Sequence, residues 1–201
     1  MFVKICGMRR RGDIDLAVTC GADAVGFIYA PSPRQVTPEH VARLVDGLHV
    51  LKVGVFVDEN LERIRDIREK NRLDIIQLHG NETPEYCEKL GGRLFKALRA
   101  KNRTTVDRMA DFPPDIKILL DAYVKGQAGG TGRRIDKNLL DQIKDFSGII
   151  LAGGVGPDNA AELIEQYQPF GIDVNSKVEV EPGMKDHGKM KALFRSLDRF
   201  I

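Results

Sequence analysis

The sequence predicts a parallel α/β fold closed as a (β/α)8 TIM barrel, and three observations predict it. Short apolar runs of strand length recur at fairly even intervals, amphipathic stretches of helical pattern alternate with them, and polar residues collect where the runs end. At 201 residues the chain suits one barrel domain over 1–201, near the lower limit of that fold's usual size. An open doubly wound sheet is the competing closure. No GxGxxG follows the first run, no Walker A sequence occurs, and eight near-equal units without a linker favour the barrel.

The strand-like runs are Val3 to Cys6, Ala24 to Tyr29, Leu51 to Val57, Asp74 to His79, Arg93 to Leu98, Lys117 to Asp121, Gly148 to Ala152 and Gly171 to Val174. β-Branched and aromatic residues dominate them, as largely buried strands require. Between them, Thr37-Pro38-Glu39 and Thr83-Pro84-Glu85 each place an N-cap threonine before a proline at the first helical position. Pro157-Asp158-Asn159 is expected to begin another helix, with Ala160, Ala161, Leu163, Ile164 and Tyr167 as its apolar face. After Arg99, the segment Asp111-Phe112-Pro113-Pro114 leaves room for only a short helix.

Composition excludes several classes. With 31 basic and 29 acidic residues interspersed, the net charge is +2, which leaves no electrostatic footprint for nucleic acid or an anionic membrane. Arg9, Arg10 and Arg11 read as a solvated loop. Cys6, Cys20 and Cys87 are widely spaced, without a CxxC pair or Cys/His metal spacing, so neither a disulfide framework nor a zinc site is indicated. No leader segment and no bilayer-length apolar run occur, and the expectation is a cytoplasmic protein.

In such a barrel, chemistry lies at the C-terminal ends of the strands. There the sequence places Cys6, His79, Asp121, Asp173 and Asn175, and alternation puts Lys4 with Cys6, Gln77 with His79, and Asp173 with Asn175 on shared faces. Asp121 follows Ile118-Leu119-Leu120, where a carboxylate needs a partner or water. His79 and Asp173 are candidate substrate-binding residues. Lys4 and Lys96 lie within strands and are expected to form ion pairs inside the barrel or at its rim. Gly153-Gly154 after the seventh run and Asn175-Ser176 after the eighth are candidate phosphate-binding positions, where glycine lets backbone amides approach an anion. Gly126-Gln127-Ala128-Gly129-Gly130-Thr131-Gly132, with four glycines in seven residues, is expected to close over a ligand.

Nine strings in order resemble the phosphoribosylanthranilate isomerase family: Lys4-Ile5-Cys6-Gly7, Gly21 to Phe27, Ser32-Pro33-Arg34, Val53 to Val57, Gln77-Leu78-His79-Gly80, Leu119-Leu120-Asp121, Gly129-Gly130-Thr131-Gly132, Leu151-Ala152-Gly153-Gly154 and Asp173-Val174. The resemblance implies an Amadori rearrangement in tryptophan biosynthesis, turning an aminoaldose phosphosugar into a ketose without cofactor or metal. It implies Asp121 as general acid, Cys6 as general base, Arg34 at the anthranilate end of the substrate, and the glycines of the seventh unit on its phosphate. The acid would work with a raised pKa, and the thiol with one lowered by cationic surroundings. Arg34 would hold the carboxylate through two parallel hydrogen bonds. The chain departs from the family pattern at Met8-Arg9 and at Lys177, where Asn175-Ser176-Lys177-Val178-Glu179 stands in place of Ser-Ser-Gly-Val-Glu. Lys177 is expected either to add a charge contact or to point into solvent while the backbone binds. The competing functions are another phosphosugar isomerase or epimerase, or a phosphosugar-binding barrel without catalysis. A monomer and a homodimer are both compatible with the sequence.

Overall fold

Eight strands close into a parallel barrel in the computed structural model, which describes residues 1–122 and 135–201. They are β1 (Phe2–Ile5), β2 (Ala24–Ile28), β3 (Leu51–Phe56), β4 (Ile75–Leu78), β5 (Leu94–Ala100), β6 (Lys117–Ala122), β7 (Ile149–Leu151) and β8 (Gly171–Val174). Each expected run forms one strand, and β1 pairs with β8 to complete the ring. This settles closure in favour of the barrel over the open sheet. The glycine-rich stretch 126–132 lies outside the described residues.

Strands buried on both faces read as continuous apolar runs, and here the two faces belong to two cores. Ala24, Val53, Ile75, Phe95, Ala97, Leu119, Ile150 and Ala152 fill the barrel interior. Val3, Ile5, Val25, Phe27, Leu78, Leu98, Leu120 and Leu151 pack outward against the helices. At the N-terminal end, Phe2 meets Phe95 edge-on at 5.8 Å and stacks on Phe170 at 5.4 Å, with the Lys117 ammonium 4.8 Å from the Phe170 ring. That aromatic layer closes the bottom of the barrel interior.

The helices are α1 (Arg11–Cys20), α2 (Pro38–Leu44), α3 (Leu61–Lys70), α4 (Pro84–Leu90), α5 (Arg103–Asp107), α6 (Lys137–Leu140), α7 (Ala160–Tyr167) and α8 (His187–Leu197). The threonine caps form as expected: Thr37 Oγ1 accepts from His40 N at 3.2 Å, and Thr83 Oγ1 from Tyr86 N at 3.3 Å. The short α5 and a following 3₁₀ turn match the limit set by Pro113-Pro114. The expected start at Pro157 is displaced to Ala160, because the Asn159 side chain serves the preceding loop. Its Oδ1 accepts from Gly156 N at 2.9 Å and its Nδ2 donates to Gly154 O at 3.2 Å. Arg9, Arg10 and Arg11 are exposed; Arg9 and Arg10 lie in the loop as expected, whereas Arg11 opens α1 and pairs with Asp15. Among the described residues no helix is long and apolar enough to cross a membrane.

Lys4 faces the interior, where its ammonium sits 2.8 Å from Asp173 Oδ1 across the β1–β8 register. Lys96 was expected inside the barrel or at its rim. It alternates with the inward Phe95 and Ala97 and therefore points to the helix side. There it donates to Glu82 Oε2 at 2.6 Å, Gly80 O at 2.9 Å and Leu78 O at 3.3 Å. Glu82 also accepts from Asp58 N and Gly80 N at 2.8 and 2.9 Å, tying the loops after β3 and β4 together beside His79.

One element has no counterpart in the sequence reading, a hairpin of β9 (Glu179–Glu181) and β10 (Met184–Lys185) between β8 and α8. The signal that could have found it is Pro182-Gly183 after an alternating Val178-Glu179-Val180-Glu181, with Gly183 at φ 86°.

Candidate active site

A cavity of about 300 Å³ opens at the C-terminal end of the barrel, and all nine candidate residues line it. Cys6 comes from the end of β1, His79 from the end of β4, Asp121 from β6, Asp173 from β8, and Asn175 and Ser176 from the turn after β8. Gly153 and Gly154 contribute the loop after β7, and Arg34 reaches in from the loop between β2 and α2. A larger cavity of about 780 Å³ lies at the opposite end, lined by Phe2, Phe95, Phe170 and the paired Lys52 and Asp74. It holds none of Cys6, His79, Asp121 and Asp173, so the smaller cavity is the candidate site.

Asp121 is buried in the wall and held from two sides. Its Oδ1 accepts from Ala122 N at 2.9 Å, and its Oδ2 lies 3.3 Å from His79 Nε2. The Gln77 amide nitrogen is 3.0 Å from His79 Nδ1. An amide nitrogen can only donate, so Nδ1 accepts, and the proton of the neutral ring belongs on Nε2, facing Asp121. The 3.3 Å contact is not an aligned hydrogen bond. His79 Nε2 and Gln77 Oε1 therefore remain buried polar atoms without partners among the described residues, open to a bound ligand. Gln77 joins the site beyond the residues the sequence predicts, and its signal is the face it shares with His79 two positions along the chain. Gly153 explains why no side chain intervenes: at φ 69°, a Cβ there would stand 2.4 Å from Ala122 N and 2.9 Å from Asp121 Oδ1.

Cys6 corrects an expectation. Its thiol is pushed above the ordinary value chiefly by burial; Lys4 is the largest opposing influence, Asp173 adds to the rise, and Lys185 lowers it slightly. The cationic surroundings are present, but enclosure outweighs them, because a thiolate loses its hydration there.

Arg34 is also differently engaged than expected. Its Nε and Nη2, the fork that would grip a carboxylate, donate to Glu179 at distances of 2.7 to 3.0 Å. Glu179 in turn accepts from Lys185 Nζ at 3.0 Å, and Lys185 Nζ donates to Asn175 Oδ1 at 3.0 Å. These cations hold the Glu179 carboxyl below its usual range despite burial. The chain Arg34–Glu179–Lys185–Asn175 thus runs along one side of the cavity, where Asn175 Oδ1 and Arg34 Cδ stand 2.7 and 2.9 Å from the point a Cβ on Gly7 would occupy, and it leaves Arg34 Nη1 as the nitrogen without a described bond. Glu179→Gln should raise KM about tenfold, the size of one lost charge-assisted hydrogen bond, with kcat within a few-fold. Steady-state kinetics check it, and an unchanged KM would mean that Glu179 does not hold Arg34 for binding.

Lys177 resolves toward solvent. It is exposed, sits in a 3₁₀ turn at Ser176–Val178, and is not among the non-glycine residues with positive φ, which among the described residues are Asp58, Arg72 and Gln168. The backbone at this position therefore does not require glycine.

Comparison with known proteins gives a consistent result. The family model described as N-(5'phosphoribosyl)anthranilate (PRA) isomerase matches residues 3–196. Proteins named N-(5'-phosphoribosyl)anthranilate isomerase from Symbiobacterium thermophilum and Trichlorobacter lovleyi are each 42% identical, with 96% of both chains covered. The crystal structure of phosphoribosyl anthranilate isomerase from Thermotoga maritima superposes with a TM-score of 0.88 at 34% identity, covering 100% of both chains. Another isomerase structure, in complex with reduced 1-(o-carboxyphenylamino)-1-deoxyribulose 5-phosphate, gives 0.85 at 33% identity over 100% of both chains. With the barrel, Cys6 and Asp121 at its mouth and this similarity over nearly the full length, the chain belongs to the phosphoribosylanthranilate isomerase family.

Proposed function

We propose that this cavity carries out the family's isomerisation of N-(5-phosphoribosyl)anthranilate, with Asp121 as general acid and Cys6 as general base. The observation that carries the reading is one small cavity with a carboxylic acid on β6 and a thiol on β1, flanked by the glycine loop of β7 and by Arg34. A ligand with a phosphate at one end and a carboxylate at the other matches that layout, and the ligand in the similar complex has both groups in its printed name.

The chemistry follows from the residue types. Asp121 delivers a proton to the furanose ring oxygen, the C1′–O bond breaks, and the anthranilate nitrogen forms a protonated Schiff base with C1′. That cation acidifies the C2′ proton. Cys6 takes it as a thiolate, and the C–H electron pair forms the C1′=C2′ bond while the nitrogen becomes neutral. Tautomerisation of the resulting enol-amine gives the ketose. No atom is gained or lost, and no redox partner is needed.

Binding roles follow the same geometry. Gly153, Gly154, Asn175 and Ser176 receive the phosphate through backbone amides, Asn175 Oδ1 being engaged by Lys185. Arg34 meets the carboxylate through Nη1, and His79 Nε2 and Gln77 Oε1 contact the sugar. Asp173 bounds the same wall. In this reading the whole chain, 1–201, acts as one barrel domain in the cytoplasm, as a monomer or homodimer.

The deciding experiment follows the fluorescence of phosphoribosylanthranilate as it is consumed. Cys6→Ser should lower kcat by about 10²–10⁴-fold, because a serine hydroxyl is a far poorer proton acceptor, and should leave affinity for the reduced product analogue unchanged. In the parent, kcat/KM should rise with pH through an inflection above the ordinary thiol value, since burial raises that thiol. Full turnover in Cys6→Ser would remove the base assignment.

A further inference from the structure

Lys4 lies entirely inside the barrel, and no step above uses it. A buried ammonium carries three donors and needs compensating charge. Strand register supplies Asp173, directly opposite on β8, at 2.8 Å. One carboxylate oxygen at that distance takes one of the three ammonium donors. The other donors are left for groups on the same inner face.

What else they face is set by β1 itself. Cys6 is two residues along, on the same inner face. Gly26 of β2 forms the floor beneath both: the point where its Cβ would stand is 2.7 Å from Cys6 Sγ and 3.1 Å from Lys4 Cε. The thiol and the end of the lysine side chain thus share the space over one glycine. The other charged groups about Cys6 are already occupied. Lys185 of β10 is bound to Glu179 and Asn175, and Arg34 is bound to Glu179. Among the described residues Asp173 is the acid paired with Lys4.

We propose that Lys4 is a positioning residue for the base, the counter-ion of the Cys6 thiolate, and that Asp173 sets how much of its charge Cys6 feels. The inference rests on Cys6 acting as the base. Lys4 keeps its own proton throughout. The thiol first loses its proton to solvent, the thiolate is held against the ammonium, and the C2′ proton then moves to sulfur as the carbon electron pair enters the C1′=C2′ bond. Positive charge at Lys4 favours the thiolate, and negative charge at Asp173 disfavours it. Removing one or the other must therefore shift Cys6 in opposite directions. The balance among these groups agrees with the competing influences on Cys6, where Lys4 opposes burial and Asp173 reinforces it.

The test needs no substrate. Thiolate absorbance near the ultraviolet edge, taken as the difference from Cys6→Ser, and alkylation by iodoacetamide mapped to the Cys6 peptide are followed against pH in the full chain. Lys4→Met should move the Cys6 inflection upward by about one unit or more, slowing alkylation at a fixed pH below it about tenfold. Asp173→Asn should move the inflection downward and speed alkylation. Lys4→Met leaves Asp173 buried without a partner and could unfold the chain. For that case Lys4→Met/Asp173→Asn is compared with Asp173→Asn alone, where only the lysine differs, and the double variant should titrate higher. An unmoved inflection in either comparison, or shifts of the same sign from Lys4 and Asp173, overturns the proposal. Because these readings are taken without phosphoribosylanthranilate, failure of turnover and failure of the counter-ion role are separate results.

Discussion

Asp121→Asn is expected to lower kcat by about 10²–10⁴-fold while thermal unfolding and ligand affinity stay close to those of the parent. The size follows from what the substitution removes. Asparagine keeps an oxygen to accept from Ala122 N and keeps the side-chain volume beside Gly153, where there is no slack. It has no acidic proton for the ring oxygen, so only the proton transfer is lost. The effect should fall on kcat and on kcat/KM alike, which is the pattern of an interaction made in the transition state. The fluorescence assay reads the rate, and titration with the reduced product analogue reads binding. A variant that turns over at the parental rate would place the acid elsewhere, with His79, 3.3 Å away, the next group to replace.

The second large effect is on stability. Lys96→Met should destabilise the chain by about 3–5 kcal/mol, because it leaves the Glu82 carboxylate buried without its cation. The pair is enclosed on both sides, each side chain about 1% exposed, and closes at 2.6 Å. Lys96→Met/Glu82→Gln should recover part of the loss, since the amide oxygen still accepts from the Asp58 and Gly80 amides while no charge is stranded. Urea unfolding of the three variants measures it. A Lys96→Met midpoint equal to the parent's would show that Glu82 is protonated or solvated and that the pair contributes little. The same anchor holds the Gly80 backbone next to His79, so loss of stability should be accompanied by a looser site, seen as a higher KM.

Much of the barrel was legible because parallel strands report themselves strongly. Runs such as Ile118-Leu119-Leu120 are buried on both faces and so carry no polar residue until the strand reaches the mouth, where Asp121 appears. Period-two alternation then put Lys4 with Cys6 and Asp173 with Asn175 on shared faces, and the β1–β8 register sets Lys4 opposite Asp173. The threonine-proline caps were readable for a similar reason, as they act within four residues of themselves. Lys96 was misjudged because alternation shows which residues share a face but not which face is inside. That depended on Phe95 and Ala97 filling the interior.

Strand positions, two helix starts and the gathering of nine polar and glycine residues at one rim followed from local rules, in which each residue answers only to its near neighbours in the chain. The state of those residues followed from groups distant in sequence. Arg34 is held by Glu179, 145 positions away, on a hairpin the sequence reading did not anticipate. Cys6 is enclosed more than it is assisted, and its balance depends on Lys4, Asp173 and Lys185 meeting across three strands. Electrostatic energy in a low-dielectric interior is a sum over whatever folding brings within a few ångströms. Residue types and spacing therefore placed Asp121 and Cys6 at one rim, where the family resemblance implies an acid and a base, while the packing of β1 against β2, β8 and the hairpin set the electrostatic surroundings of the thiol.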